Sequence, residues 1–184
     1  MQVSFKASHI SSPYIIKIKN NKKLIPQKTS FVELKFNSEK DYEIIRAASL
    51  NWNNGYSYAT SILDNFAKQK HSKTEQYEQK YKYFALLKKT SKAFNNEDIL
   101  ALASLYQKLD KTFNLLYLQV KPEETYLSKN RHYKHIGQAI VKAIINMFPS
   151  KKIETYPINK EAEIFYEKLN FKKNTDNIYM SFEN

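Results

Sequence analysis

The sequence of 184 residues contains no cysteine. This absence excludes disulfide bonds, thiolate nucleophiles and cysteine-ligated zinc sites, and it is typical of a cytoplasmic protein. Long apolar runs are also missing, because no stretch reaches the ~18 apolar residues that a membrane-spanning helix needs. The N-terminus lacks the apolar segment of a signal peptide. We therefore expect a cytoplasmic protein that does not interact with a membrane.

Arginine is scarce although the formal net charge is +12. Arg46 and Arg131 are the only arginines, so lysine supplies 28 of the 30 basic side chains. A large positive charge favours acidic partners such as a nucleotide cofactor or RNA. Arginine is the usual choice for bidentate recognition of phosphates and bases, so the lysine bias is equally consistent with a merely compositional trend.

The remaining composition is that of a folded chain. Hydrophobic residues make up 42% of the sequence and aromatic residues 14%, which is enough apolar surface to build a core. The length predicts one domain, residues 1–184. Within it we expect an N-terminal β-hairpin at residues 1–27 and a core at residues 28–184.

The most informative stretch reads as strand, loop and helix. Residues 115–120 are apolar and predict a buried strand, and Pro122 ends it because proline cannot donate to a ladder. Residues 123–134 are polar and basic. From Ile136 onward apolar residues recur every three or four positions, which predicts an amphipathic helix that ends before Pro149.

Gly137, one of only two glycines, lies where this loop becomes the helix. A small residue permits close approach of a ligand or of another backbone segment. The free N–H groups of a helix N-terminus can hold phosphate, and His132, Lys134 and His135 surround this one. The chemistry suggested is binding of a polyphosphate ligand, whereas a basic loop before a helix, taken alone, is more often a solvated turn.

The residues at this junction resemble motif A of the GNAT N-acetyltransferase family, Gln/Arg-x-x-Gly-x-Gly/Ala. Gly137 fits the last position of the motif. His132 stands where Gln or Arg is usual, and His135 stands where the first glycine is usual. The preceding Val120-Lys121-Pro122-Glu123 is similar to the family's Val-x-Pro-Glu strand end.

A second segment resembles motif B of the same family, Asn…Tyr-x-x-x-Gly-Phe. Asn159, Tyr166 and Phe171 match it in the predicted helix of residues 159–171. Asn170 replaces the glycine, and asparagine tolerates the left-handed conformation needed after a helix. The resemblance covers residues 31–182.

The resemblance implies an α/β (α+β) GNAT fold. Its central mixed sheet is mostly antiparallel, splays into a V between its fourth and fifth strands, and is flanked by about four helices. Acetyl-CoA is the implied cofactor and lies in the V. The implied cofactor-binding residues are Leu118, Gln119 and Val120 for the pantetheine arm, Asn159 beside it, and His132, Tyr133, Lys134, His135, Ile136, Gly137, Gln138 and Ala139 around the pyrophosphate.

The resemblance also implies catalytic roles. Tyr166 is expected to be the general acid that protonates the leaving thiolate, since a phenol stays protonated at neutral pH; a core tyrosine is the alternative. Glu123 is the candidate general base, with Glu124 beside it. Trp52 and Tyr56, in the predicted substrate-side flap, are candidates for the acceptor pocket, although Trp52 could equally cap the core. We expect no metal site.

The other elements follow from local patterns. Strands are predicted at residues 2–9, 31–36, 81–88, 99–107, 152–158 and 178–182. Residues 14–19 and 22–25 predict the N-terminal hairpin, with Pro26 closing its second strand. Ser38 predicts the N-cap of a first helix, and a second helix is expected at residues 56–68.

Three function classes remain open at this point. The leading one is an N-acetyltransferase that transfers the acetyl group directly to a primary amine of a small molecule or protein. The second is a GNAT-type toxin that acetylates aminoacyl-tRNA, which would make tRNA a partner. The third is a non-catalytic CoA-binding module. We expect a monomer or a homodimer.

Overall fold

A computed structural model describes residues 8–9, 15–20, 23–52, 57–71, 80–88, 96–125, 128–129, 131–176 and 178–183. The strands in these residues are β1 Ser8–His9, β2 Ile15–Asn20, β3 Lys23–Lys28, β4 Ser30–Leu34, β5 Tyr81–Leu87, β6 Ile99–Gln107, β7 Phe113–Val120, β8 Tyr133–Lys134, β9 Ile153–Thr155, β10 Lys172–Lys173 and β11 Met180–Phe182. The helices are α1 Glu39–Asn51, α2 Tyr58–His71, α3 Ile136–Met147 and α4 Lys160–Glu167.

The main sheet has eight strands in the order β1-β4-β5-β6-β7-β9-β11-β10. Every neighbouring pair is antiparallel except β7 and β9, which are parallel. A parallel pair needs a crossover connection, and α3 lies in that crossover. The predicted mixed, mostly antiparallel sheet with flanking helices is confirmed.

The sheet splays between β7 and β9. These strands pair over three residues only, from Phe113 opposite Ile153 to Leu115 opposite Thr155. Beyond this last pair β7 continues to Val120, whereas β9 stops. We call the space between β7 after Leu115 and the end of β9 the β7–β9 gap.

The sheet carries a core on each face. On one face α3 and α4 pack against the strands, and α3 contributes seven buried residues: Ile136, Ala139, Ile140, Val141, Ala143, Ile144 and Ile145. On the other face the apolar sides of α1 and α2 cover Val32, Leu34, Tyr83, Ala85 and Leu102. Successive side chains of a strand point to opposite faces of the sheet, so each strand contributes residues to both cores.

Two helix starts follow from capping side chains. Ser38 is the N-cap of α1, as predicted, and its hydroxyl accepts the backbone N–H of Asp41 at 3.3 Å. Asn159 is the N-cap of α4, and its Oδ1 accepts the N–H of Ala162 at 2.8 Å. An N-cap residue lies outside the helix proper, so α4 begins at Lys160. It ends at Glu167, ahead of the left-handed Asn170, and is therefore shorter than the predicted helix of residues 159–171.

The predicted N-terminal hairpin is present, but it continues past the proline. β2 and β3 pair antiparallel from Asn20–Lys23 to Ile15–Lys28, with Pro26 inside the ladder opposite Lys17. Closure of the second strand at Pro26 was therefore a wrong prediction. β3 is the edge of a three-stranded sheet of order β3-β2-β8, and an edge strand tolerates a residue that has no N–H.

Several predicted strands are shorter in the structure. The strand expected at residues 152–158 is Ile153–Thr155, and the one at 178–182 is Met180–Phe182. Most of the strand predicted at residues 2–9 lies outside the described residues, and Ser8–His9 pairs with β4. No helix among the described residues is both long and apolar enough to span a bilayer.

Candidate active site

The edge of β7 that faces the β7–β9 gap is available for binding. Leu116 has no partner on β6, because the register jumps from Ser104–Tyr117 to Leu105–Leu115. This β-bulge increases the local twist and coincides with the end of the β9 ladder. Within the described residues, no strand pairs with residues 116–120 on this side. The backbone there, which includes Leu118, Gln119 and Val120, can bind an extended ligand.

The N-terminus of α3 lies at the far end of this edge. His135 is its N-cap and has φ 66° and ψ 18°, in the left-handed region. The GNAT motif has glycine at this position, and histidine is among the residues that enter this region more readily than most. The backbone conformation is thus the one glycine would adopt. The first N–H groups of α3, starting at Ile136, have no partner within the helix.

Gly137 lies at a closely packed position. A Cβ at this position would lie 3.3 Å from two ring carbons of Phe165 and 3.6 Å from Cγ2 of Val120. Gly137 therefore lets α3, α4 and β7 converge at the start of the helix. The sequence left open whether a ligand or another backbone segment approaches Gly137, and in the structure the side chains of Phe165 and Val120 lie against it.

The loop of residues 131–135, which we call the α3-entry loop, is held by Glu124. Oε2 of Glu124 accepts the N–H groups of His132 at 2.8 Å and Tyr133 at 2.7 Å. The Glu124 side chain is only 7% exposed, and its Oε1 lies 3.6 Å from Nδ1 of His132. Two of the amides predicted to hold pyrophosphate therefore donate to a carboxylate in this structure.

The phenol of Tyr166 lies at the opposite end of the gap. Tyr166 is 7% exposed and packs between the rings of Phe165 and Phe171. The pKa of Tyr166 is raised to about 12, chiefly by burial and to a smaller extent by the nearby Tyr58 phenol, whereas a hydrogen bond with Thr155 lowers it. Thr155 closes the β7–β9 ladder. The phenol is therefore protonated at neutral pH and lies where the strands diverge.

Two further tyrosines form the wall on the α2 side. The rings of Tyr58, on α2, and Tyr117, on β7, are 5.5 Å apart. Oε1 of Gln119 ties these elements together, because it accepts the N–H of Ala59 at 2.6 Å and the hydroxyl of Ser57 at 3.2 Å. An aromatic wall of this kind can bind a cation through its ring faces.

The remaining predicted residues lie in different places. Glu123 is exposed on the 3-10 turn Pro122–Glu124 after β7, at the α3 end of the gap. Trp52 follows α1, is 2% exposed and packs in the core under α1 and α2, which is the packing role that the sequence left open. Tyr56 lies outside the described residues. Catalytic and binding roles for these side chains stay predictions.

Sequence reasoning missed three features of the site. Tyr58 and Tyr117 carry no motif, since one begins a helix and the other lies in an apolar strand. The role of Glu124 as a loop anchor depends on contacts eight and nine residues away. The pairing of β2 with β8 gave no local signal, because β8 has only two residues.

No protein-family model matches the sequence, and no curated protein matches it. Solved structures do. An acetyltransferase of the GNAT family from Desulfovibrio desulfuricans superposes with a TM-score of 0.56 at 13% identity, covering 84% of this chain and 98% of that one. AtaTR bound with AcCoA gives 0.53 at 14% identity, covering 84% and 92%. AtaT complexed with acetyl-methionyl-tRNAfMet gives 0.56 at 12% identity, covering 84% and 94%. The chain therefore has the fold of the GNAT acetyltransferases.

Proposed function

We propose that the protein is an acetyl-CoA-dependent N-acetyltransferase that transfers the acetyl group to a primary amine within a ternary complex. The observation that carries the proposal is an alignment along one edge of β7. The start of α3 lies beside Val120 at one end, and the Tyr166 phenol lies beside Thr155 at the other. The backbone between them is open towards the gap.

The residues present fit the parts of acetyl-CoA in order. The N–H groups at the start of α3 suit the pyrophosphate, because a helix N-terminus favours anions. Residues 116–120 span roughly 13 Å at ~3.3 Å per residue, and their backbone suits the two amides of the pantetheine arm. Asn159 uses Oδ1 as the α4 cap, which leaves its amide nitrogen to donate to the same arm. The thioester then lies near Tyr166.

The chain's own contribution to transfer is positioning and proton donation. Acetyl-CoA supplies an acetyl group activated as a thioester. When the acceptor nitrogen bonds to the acetyl carbon and the carbon–sulfur bond breaks, Tyr166 would donate its proton to the sulfur. The nitrogen would release a proton to water, and the Tyr166 phenolate would regain one from water. A phenol with a pKa of about 12 holds its proton throughout the physiological range.

The surroundings of Tyr166 favour an acceptor amine that is partly neutral at pH 7 without deprotonation by a general base. The neighbouring ionisable group that raises the pKa of Tyr166 is the phenol of Tyr58. Glu123 follows Val120 at the other end of the gap, roughly 17 Å or more along β7 from Leu115 at ~3.3 Å per residue. An α-amine, with a pKa of roughly 8, is far more often neutral at pH 7 than a lysine amine, with a pKa of about 10.4.

The second candidate function is a GNAT-type toxin that acetylates the α-amine of an aminoacyl-tRNA. The preference for an α-amine and the net charge of +12 support it, because lysines can neutralise RNA phosphates. The similar AtaT structure contains acetyl-methionyl-tRNAfMet. For this chain, tRNA acetylation is a proposal.

Thiol release from acetyl-CoA in the presence of an amine panel tests the leading function. The panel contains small primary amines, peptides with free α-amines, peptides with only lysine amines, and aminoacyl-tRNA. We expect turnover with α-amines and confirmation of the acetylated product by mass spectrometry. Binding of CoA without acetyl transfer to any of these acceptors would contradict the proposed N-acetyltransferase activity and would favour a non-catalytic CoA-binding module.

Salt dependence separates the two candidates. If tRNA is the acceptor, the KM for aminoacyl-tRNA should rise steeply with salt, because each neutralised phosphate releases a counterion. The KM for a small α-amine should change little over the same range. Equal salt dependence for both acceptors would argue against a dedicated tRNA surface.

A further inference from the structure

The α3-entry loop is held from both sides. Its strand β8 pairs antiparallel with β2 of the N-terminal hairpin, with Lys17 opposite Lys134 and Ile18 opposite Tyr133. On its other side, Glu124 accepts the N–H groups of His132 and Tyr133. The segment that leads directly into α3 is therefore enclosed between a strand and a buried carboxylate.

The hydrogen-bond directions agree with this arrangement. The N–H of Tyr133 points to Glu124, and successive N–H groups along a strand point to opposite sides. The N–H of Lys134 is therefore directed at β2. On β2, Lys17 lies opposite Pro26 on the other side. Since proline has no N–H, Lys17 uses its backbone groups towards Lys134.

Among the described residues, two contacts fix the hairpin to the core, and a third joins its neighbour β8 to the end of β5. Ile16 on β2 is 0% exposed and belongs to the core that contains α3. Nε2 of Gln27 on β3 donates to the carbonyl of Lys88 at 3.2 Å. Nζ of Lys88 lies 5.9 Å from the centre of the Tyr133 ring, over its face. The last two contacts link β3 to β8 through the end of β5.

We propose that the N-terminal hairpin is part of the cofactor site and positions the α3-entry loop for the phosphates of acetyl-CoA, with Ile16 as its positioning residue. The ligand's identity rests on the proposed function. With the amides of His132 and Tyr133 held by Glu124 and that of Lys134 by β2, the donors left for pyrophosphate begin at His135. Cofactor binding and hairpin docking then stabilise each other by the same factor.

Ile16→Ala tests this coupling, and Ile25→Ala is the matched control. Both remove the same atoms from the same hairpin, but Ile25 is 45% exposed. We expect Ile16→Ala to raise the KM for acetyl-CoA by roughly tenfold to a hundredfold, which is within the usual size of a coupling between two sites, with kcat unchanged. Ile25→Ala should match the unmutated protein, and Ile16→Val should recover most of the affinity.

Hydrogen exchange of the Lys134 amide gives a readout that does not depend on the ligand. Ile16→Ala should speed its exchange by roughly thirtyfold or more, the lower limit for emptying a buried isoleucine site, whereas Ile25→Ala should not. In the unmutated protein, acetyl-CoA should slow exchange at Lys134 and along residues 15–20.

The outcomes separate this inference from the proposed function. If the unmutated protein binds no acetyl-CoA, the proposed function fails, and the coupling of the hairpin to a cofactor fails with it even where the exchange pattern appears. If acetyl-CoA binds but Ile16→Ala lowers only the melting temperature and leaves the KM and the Lys134 exchange unchanged, the hairpin is a structural addition and the inference is overturned. Should Ile16→Ala fail to fold, the unmutated protein decides the question, because acetyl-CoA binding without slower exchange at Lys134 and along residues 15–20 would overturn the inference.

Discussion

The two walls of the β7–β9 gap are built from different parts of the chain. The wall towards α3 and α4 presents backbone: the open edge of β7, the first turn of α3 and the α3-entry loop. The wall towards α2 presents side chains, chiefly the rings of Tyr58 and Tyr117. Backbone geometry persists when side chains change, so the first wall is recognisable from sequence and the second is not.

Two substitutions show how the backbone wall tolerates change. His135 and Asn170 stand where the GNAT motifs have glycine, and both have φ 66°. Histidine and asparagine are among the residues best able to adopt this conformation. After α4, the turn is completed by the N–H of Phe171, which donates to the carbonyl of Tyr166 at 3.1 Å. The backbone requirement is met without the usual residue.

Among the substitutions that test the two walls of the β7–β9 gap, Tyr166→Phe should have the largest effect, and that effect should be on kcat. We expect kcat to fall by about 10²–10⁴, the usual contribution of a general acid, while the affinity for acetyl-CoA stays nearly constant because the backbone wall is intact. Steady-state kinetics with an acceptor found in the amine panel measures both. Equal kcat values for the two proteins would reject Tyr166 as the general acid and leave it a packing role in the core.

Tyr83→Phe is the matched control for that experiment. Tyr83 is 2% exposed in the other core, and its hydroxyl has no hydrogen-bond partner within the described part of the chain. Removing an unsatisfied buried hydroxyl is neutral or stabilising. We therefore expect unchanged kcat and an unchanged or slightly higher melting temperature.

Gly137→Val tests whether the backbone wall depends on close packing. The added side chain would meet Phe165 and Val120, so we expect a loss of about 1–3 kcal/mol in stability from overpacking, together with weaker acetyl-CoA binding. Denaturant unfolding and calorimetric titration measure these quantities. Gly137→Ala, alone and combined with Phe165→Leu, shows which group the added side chain meets. Recovery of acetyl-CoA binding in the double variant would assign the clash to Phe165. Continued loss of binding would assign the clash to the ligand.

Alkaline unfolding compares the buried tyrosines of the two faces. Burial raises the pKa of both Tyr166 and Tyr83 above the ordinary value. The unfolded chain then loses its phenolic protons first, so stability is fully present below about pH 10 and falls as the pH rises above it. For Tyr166, the loss should be on the order of 2 kcal/mol by about pH 12. Urea unfolding between pH 8 and 11 should show a shallower decline for Tyr166→Phe, and identical slopes would refute the raised pKa.

Tyr58→Ala addresses the side-chain wall. If the ring binds the acceptor ammonium, its removal should raise the acceptor KM by about threefold to thirtyfold, corresponding to about 0.5–2 kcal/mol for a cation–π contact. The KM for acetyl-CoA should not change. If the KM for acetyl-CoA changed and the KM for the acceptor did not, Tyr58 would contact the cofactor and not the acceptor, which would contradict this assignment.

His135→Gly and His135→Val test the left-handed residue at the start of α3. Glycine relieves the left-handed strain but loses the 2.8 Å contact between Nδ1 of His135 and Oε1 of Gln138, so the change in stability should stay within about 1 kcal/mol. Valine cannot adopt φ 66° easily and should destabilise by about 1–2 kcal/mol. Thermal unfolding of both variants checks the order, and equal melting temperatures would argue against strain at this residue.

The sequence predicted the parts of the fold that have a local physical cause. The period of apolar residues from Ile136 located α3, and Ser38 located the start of α1 by capping chemistry. Pro26 misled the prediction, because whether a proline ends a strand depends on which neighbours that strand has. The contact of Glu124 with the α3-entry loop and the pairing of β2 with β8 depend on tertiary contacts that no local pattern encodes.

Calorimetric titration of the unmutated protein with acetyl-CoA tests the central claim most directly. The account predicts saturable binding of one acetyl-CoA per chain and a rise in melting temperature, equivalent to about 2.7 kcal/mol of stabilisation at a hundredfold excess over Kd. No heat of binding and no thermal shift at millimolar acetyl-CoA would contradict the assignment of the β7–β9 gap as a cofactor site.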